Sequence, residues 1–251
     1  MTWLLAVLML AGKHAGTAPE QIQAQEHVKE GDRLLASERY PEALEAYGTA
    51  IQLDPMLMMA HYGAGQAHMA LKEYPAAIIS YKDARDAFES RRAANVLLLQ
   101  QNESARQDRI RDLRDKISQN QQRALAPDSQ EARERERRIT QWEAEITMLD
   151  RSEGISSSVP LPPGLSLALG SAYFRSGQLA DAEREYRAAI GVQPKLGEPR
   201  NNLAVVLFLT GRAAEAQEQV KLAEKHGFKV APGLKSDIET ALVTATPTPK
   251  P

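Results

Sequence analysis

The 251-residue sequence has no cysteine. That excludes a disulfide framework, a thiol nucleophile and a thiolate zinc site, while leaving the cellular compartment open. Aromatic residues are sparse at 5%. The formal net charge is only −2, so no broad basic field is available to neutralise phosphates, and general nucleic-acid binding is excluded. There is no HExxH pair, no glycine-rich phosphate loop and no GxSxG elbow. The one unbroken apolar stretch at the N-terminus, Trp3 to Ala11, is far shorter than the ~20 residues that span a bilayer.

That run fits the apolar region of a secretory signal peptide, followed by small residues from Ala15 to Ala18 that offer a cleavage zone after Ala18. No Lys or Arg precedes it, so an uncleaved anchor and a buried N-terminal helix stay open as alternatives for residues 1–18. The expected location is exported, periplasmic or extracellular, with membrane anchoring and membrane proximity through this segment as the alternative.

What the sequence has in quantity is alanine, leucine, glutamate, arginine and glutamine, a composition that suits helices. Ala43, Tyr47 and Ala50 recur at spacings of four and three, on one face of a helix that Pro55 closes. With Gly31 in the preceding helix they form a set that returns 34 residues later as Gly65, Ala77, Tyr81 and Ala84, with Glu89 in the proline position. Gly170, Ala182, Tyr186, Ala189 and Pro194 repeat the whole set. Ala204, Ala216, Val220, Ala223 and Phe228 follow as a degenerate fourth copy. Small residues at the Gly31 and Ala43 positions allow close helix approach, and the Tyr47-type side chain fills the space between neighbouring units.

A 34-residue helix–turn–helix with this small, small, aromatic, small, proline pattern resembles the tetratricopeptide repeat (TPR). The copies fall at 24–57, 58–91, 163–196 and 197–230. The family's usual tryptophan near the start of each unit is His27, His61, Ser166 and Arg200 here. The resemblance implies an all-α helical-repeat solenoid, and two units alone bury little core. All four are therefore expected to stack into one array.

Residues 92–150 interrupt the repeats. Arg92 to Gln101 is helical, with an apolar knot at Val96 to Leu99. Two charged stretches then carry thin apolar stripes, Ile110, Leu113 and Ile117, then Ile139, Trp142, Ile146 and Leu149. This is coiled-coil spacing. We read a long antiparallel hairpin inserted in the solenoid, turning at Ala124 to Asp128, with arms on the order of 35–50 Å. Two separate helices lying along the repeats are the competing arrangement. Asp128 and Glu131 form a capping-box pair for the second arm. Residues 151–162 read as a linker and 232–243 as a terminal capping helix. Residues 244–251 read as a disordered tail.

No catalytic, metal or cofactor constellation is expected. Met56, Met58, Met59, His61, His68 and Met69 lie close in sequence, and soft ligands suit copper, yet these positions read as repeat packing. The resemblance instead implies a concave groove lined by each unit's first helix. It places Val28, Lys29, Asp32 and Leu35 there from copy one, with Tyr62, Gln66 and Met69 from copy two. Copy three contributes Leu167, Ser171, Phe174 and Arg175. Copy four contributes Asn201, Asn202, Val205 and Phe208, although Val205 and Phe208 could equally pack on the C-terminal helix. The carboxylate clamp of chaperone-binding members is not reproduced, since Asp32 and Gly63 occupy its asparagine positions. The expected function is that of a non-enzymatic scaffold or adaptor receiving an unidentified protein or peptide segment. The alternative is a membrane-associated assembly factor acting through the hairpin. The oligomeric state is not legible.

Overall fold

The structure is a computed structural model. It describes residues 17–124, 126, 129–151 and 159–245. The described residues form ten helices and no strands. Those up to Arg91, together with those from Pro160 onward, make one compact unit, and Arg92 to Val159 make a second.

In the repeat unit, α1 (Ala18–Ala36) and α2 (Tyr40–Leu53) form the first pair. Thr17 opens α1, its backbone N–H and hydroxyl both donating to the Glu20 carboxylate at 2.6 and 2.8 Å. Thr17 and Ala18 thus stand at the start of α1. Residues 1–16 lie outside the described residues. Pro41 sits in the first turn of α2, where its missing N–H is no loss. Next come α3 (Met58–Ala70) and α4 (Tyr74–Gln122). Two further pairs follow, α6 (Pro163–Arg175) with α7 (Leu179–Val192), and α8 (Gly197–Leu209) with α9 (Ala213–Lys225). α10 (Pro232–Ala245) closes on α9. It keeps Thr244 and Ala245 helical, which corrects the expected start of the tail, and residues 246–251 lie outside the described residues.

The turn within each repeat is built the same way four times. The residue at its centre is left-handed, with φ of 60° at Glu38, 62° at Lys72, 80° at Gly177 and 78° at Gly211. The next N–H closes back on the first helix in every copy. Arg39 donates to Leu34, Glu73 to His68, Gln178 to Tyr173 and Arg212 to Leu207, all between 2.8 and 2.9 Å. These bonds satisfy carbonyls that the helix end leaves open. Copies one and two hold side chains where copies three and four have glycine.

Packing follows the small–large alternation. A Cβ built on Gly31 would lie 2.5 Å from the Tyr47 ring, and one on Gly63 of the next copy only 2.3 Å from it. Tyr47 therefore fills a space that two glycines, one on each neighbouring helix, leave open. Gly65 stands in the same relation to Tyr81, and Gly170 to Tyr186. Ala43, Tyr47, Ala50, Ala77, Tyr81, Ala84, Ala182, Tyr186 and Ala189 are all buried.

Copies two and three are joined although some 70 residues of sequence part them. α3 packs on α6, and one core runs from Ala77 and Tyr81 through Leu165 and Leu169 to Ile238. The four copies make one TPR-type solenoid. At this junction Arg85 clasps Glu185 with two hydrogen bonds. Glu185 is only 3% exposed, and the equivalent position in copies one and two is Ala46 and Ser80.

The hairpin unit contains the rest of α4 and α5 (Gln130–Arg151). The repeat register ends copy two at 91, with Arg92 to Gln101 expected to be helical within the insert. α4 runs across that boundary as one helix of 49 residues. α2 and α7 stop just before Asp54-Pro55 and Gln193-Pro194, whereas Glu89 replaces that proline and nothing halts α4. The 22 residues of α5 give an arm of about 33 Å. Ile110, Leu113 and Ile139 form the buried seam, flanked by half-buried Ile117, Trp142, Ile146 and Leu149. Asp128 lies outside the described residues. Ser129 performs the capping expected of it, its hydroxyl accepting from the Ala132 N–H at 3.1 Å. Arg151 is the last residue of α5, so that helix takes the first residue of the expected linker, and α6 opens at Pro163, where copy three is expected to begin.

Candidate functional site

The first helices α1, α3, α6 and α8 carry every residue expected in the groove, and the structure sorts these residues into two groups. Met69, Ser171, Phe174, Arg175, Asn202 and Val205 line one cavity of about 240 Å³. The remaining wall is Tyr186 from α7, which the sequence pattern assigns to packing alone. Three copies contribute, because consecutive first helices lie side by side once the second helices have packed behind them.

The other expected residues do not line this cavity. Lys29 pairs with Glu26 at 2.7 Å on an exposed face. Asp32 accepts a hydrogen bond from the Tyr47 hydroxyl at 2.7 Å. Tyr62 lies tilted against Tyr81, with ring centroids 5.5 Å apart. Gln66 is exposed. Leu167 packs half-buried on the core, as does Phe208. Asn201 donates to the Asn202 side chain at 3.2 Å. Val28 is buried in the first core and Leu35 packs against it, so neither is a groove side chain. Their apolar character is spent on holding α1 to α2.

The cavity is half apolar and half polar. Met69, Phe174 and Val205 form its apolar side. Tyr186 and Ser171 also line it, the Tyr186 hydroxyl donating to Ser171 Oγ at 3.4 Å. Burial pushes the Tyr186 phenol above its ordinary range, against hydrogen bonding with Ser171 and Asn202 and the charge of Arg175, and with support from the charge of Glu198. Burial and Glu198 likewise raise Tyr62. Glu198 is exposed in the first turn of α8, where the helix N-terminus favours an acid. Arg175 is exposed in the last turn of α6, where the helix carbonyls favour a cation.

Each of the two histidine rings has one nitrogen in a contact within the protein. His61 Nε2 donates to the Pro55 carbonyl at 2.9 Å, and His68 Nδ1 lies 2.7 Å from the Glu73 carboxylate. Arg200, at the same repeat position as His61, donates to the Pro194 carbonyl at 2.8 Å. Where the family places tryptophan, copies two and four use a donor to close the preceding turn. Among the described residues no group of three or more His, Asp or Glu could hold a metal ion. No described helix is long and apolar enough to cross a membrane.

Paired helices at a fixed period and small–large interlocking define a helical-repeat scaffold. The family model for the tetratricopeptide repeat matches residues 28–92 and 167–225. The chain belongs to the tetratricopeptide repeat family over these stretches. The Hsp70-Hsp90 organising protein of Plasmodium falciparum (isolate 3D7) is 36% identical over 66 residues, which are 26% of this chain and 12% of that protein. The chain thus matches a small part of that relative's length. Among solved structures, PilW, a type IV pilus biogenesis factor, is 15% identical with a TM-score of 0.42, over 88% of this chain and 87% of its own. A thermophilic TPR protein of Thermus thermophilus is 19% identical with a TM-score of 0.35, over 88% and 99%.

Proposed function

We propose that this chain is a non-enzymatic adaptor that receives a segment of another protein on the inner face of its repeats, at the cavity between α3, α6 and α8. The observation that carries this reading is the convergence of Met69, Phe174, Arg175, Asn202 and Val205, from three separate copies, on one opening. A volume of about 240 Å³ is below the ~300 Å³ at which small-molecule sites begin. It suits one or two side chains of a longer ligand. An array held by interlocked cores loses little entropy on binding, so less of the contact energy is spent on ordering.

Affinity capture with the double variant Phe174→Ala and Asn202→Ala tests this. Loss of the proteins held by the unaltered chain is expected. Retention by the double variant, together with loss on deleting 102–150, would move the function to the hairpin and to the assembly-factor reading. Export rests on the apolar run Trp3 to Ala11 alone. Mass spectrometry of the mature N-terminus tests it, and an intact N-terminus at Met1 would exclude cleavage.

A further inference from the structure

The repeat unit contains nine arginines, and eight of them are engaged within it. Seven form ion pairs with carboxylates, and Arg200 bonds the Pro194 carbonyl. Arg175 alone has no hydrogen bond or ion pair among the described residues, and it is the one charged side chain lining the cavity. The same cavity is lined by Asn202, whose side-chain amide can donate to or accept from a peptide backbone, and by Ser171, Met69, Phe174 and Val205.

We propose that the ligand is a peptide segment in which an apolar side chain lies next to a single Asp or Glu. The apolar side chain enters the cavity against Met69, Phe174 and Val205. The carboxylate is held by the guanidinium of Arg175, which is suited to a two-pronged contact. The same inner face excludes a uniformly acidic tail. Asp32 and Glu198 are both exposed on first helices, and Glu198 is close enough to Tyr62 and Tyr186 to raise both phenols. One acid at the Arg175 edge is matched, and a run of acids would meet these like charges. The proposal rests on the adaptor reading above.

The test is selection of a displayed random-peptide library on the full chain, repeated on Arg175→Glu, Phe174→Ala and Ser171→Trp, with each variant's helical fold confirmed by circular dichroism. Ser171→Trp fills the cavity without removing core, so it guards against a Phe174→Ala chain that is merely loosened. The expected result is enrichment of apolar–acidic pairs on the unaltered chain and of apolar–basic pairs on Arg175→Glu. A synthetic peptide from the first pool should bind Arg175→Glu about fivefold more weakly at low salt, the gap closing as salt screens an exposed pair. Peptides that need Phe174 and an open cavity, yet keep the same composition on Arg175→Glu, would overturn the acidic preference and leave the adaptor reading standing. Peptides that survive both Phe174→Ala and Ser171→Trp, or no enrichment on any chain, would overturn both.

Discussion

The repeat unit and the hairpin unit solve one problem in opposite ways. In the repeats, helices are locked by shape. Tyrosine rings fill the space left by glycine on neighbouring helices, and the buried contacts are alanine against tyrosine and leucine. In the hairpin the apolar seam is thin, and polar cross-links supplement it. Arg106 of α4 donates to the Leu149 carbonyl at 2.6 Å, near the end of α5. Arg135 of α5 donates to the Arg123 carbonyl at 2.7 Å, just past the end of α4. Each arm thus supplies a cation to the carbonyl end of the other, where the helix dipole favours it. A shape-locked array presents a fixed inner surface, which a groove requires. A seam held by solvated charge keeps two arms together with few buried side chains.

The difference can be broken most sharply at the buried ion pair between copies two and three. Arg85→Ala strands Glu185 in the core between copies two and three, and it should cost about 3 kcal/mol. Chemical denaturation read by circular dichroism measures this, and Glu185→Ala in the same background should recover part of the loss. Gly63→Ala drives a methyl into the Tyr47 ring and should cost about 2 kcal/mol. Gly48→Ala, with nothing within 4 Å, should instead stabilise by about 0.5 kcal/mol through helix propensity. In the hairpin, Leu113→Ala should cost about 2 kcal/mol in hydrogen-exchange protection of residues 102–150, while amides of α6 to α9 keep theirs.

The pH dependence separates the units further. Burial works to raise Glu183, but hydrogen bonds from Arg187 and Arg212 outweigh it and hold the carboxyl below its ordinary range. A depressed carboxylate contributes stability above that range and loses it as pH falls through the folded value. The melting temperature of the unaltered chain should therefore drop more steeply below about pH 4.5 than that of Glu183→Gln. The smallest effect belongs to Arg109→Ala, whose pair with Glu145 is nearly half exposed, at 47% and 41%. It should cost under about 0.5 kcal/mol and be undetectable at high salt.

Much of the fold is legible in the sequence because repeat packing is local and periodic. Gly31, Tyr47 and Ala50 and their counterparts name the interlocking surfaces correctly, since a 34-residue period restates the same contact in each copy. The buried seam of the hairpin is legible for a similar reason, from the spacing of Ile110, Leu113 and Ile139. The continuity of α4 is not anticipated, although Glu89 in the proline position carries the signal, because without that proline nothing stops the helix. Of the residues expected in a groove, Met69, Ser171, Phe174, Arg175, Asn202 and Val205 share one cavity, and their repeat positions group them. Val28 and Leu35 are not separable from groove residues, because a helix stripe facing its partner and one facing a ligand have the same period.

By itself, the sequence determined the helical class, the repeat unit, the close helix approach at each glycine and the presence of a charged hairpin between two pairs of copies. These follow from contacts a few residues or one period apart. Only the tertiary structure decided which side chains of copies two and three share one core, that Arg85 reaches Glu185, and that Arg175 is the one arginine of the repeats with no hydrogen bond or ion pair among the described residues. Each of those depends on residues distant in sequence being brought within a few ångströms, and periodicity carries no information about which charges meet there.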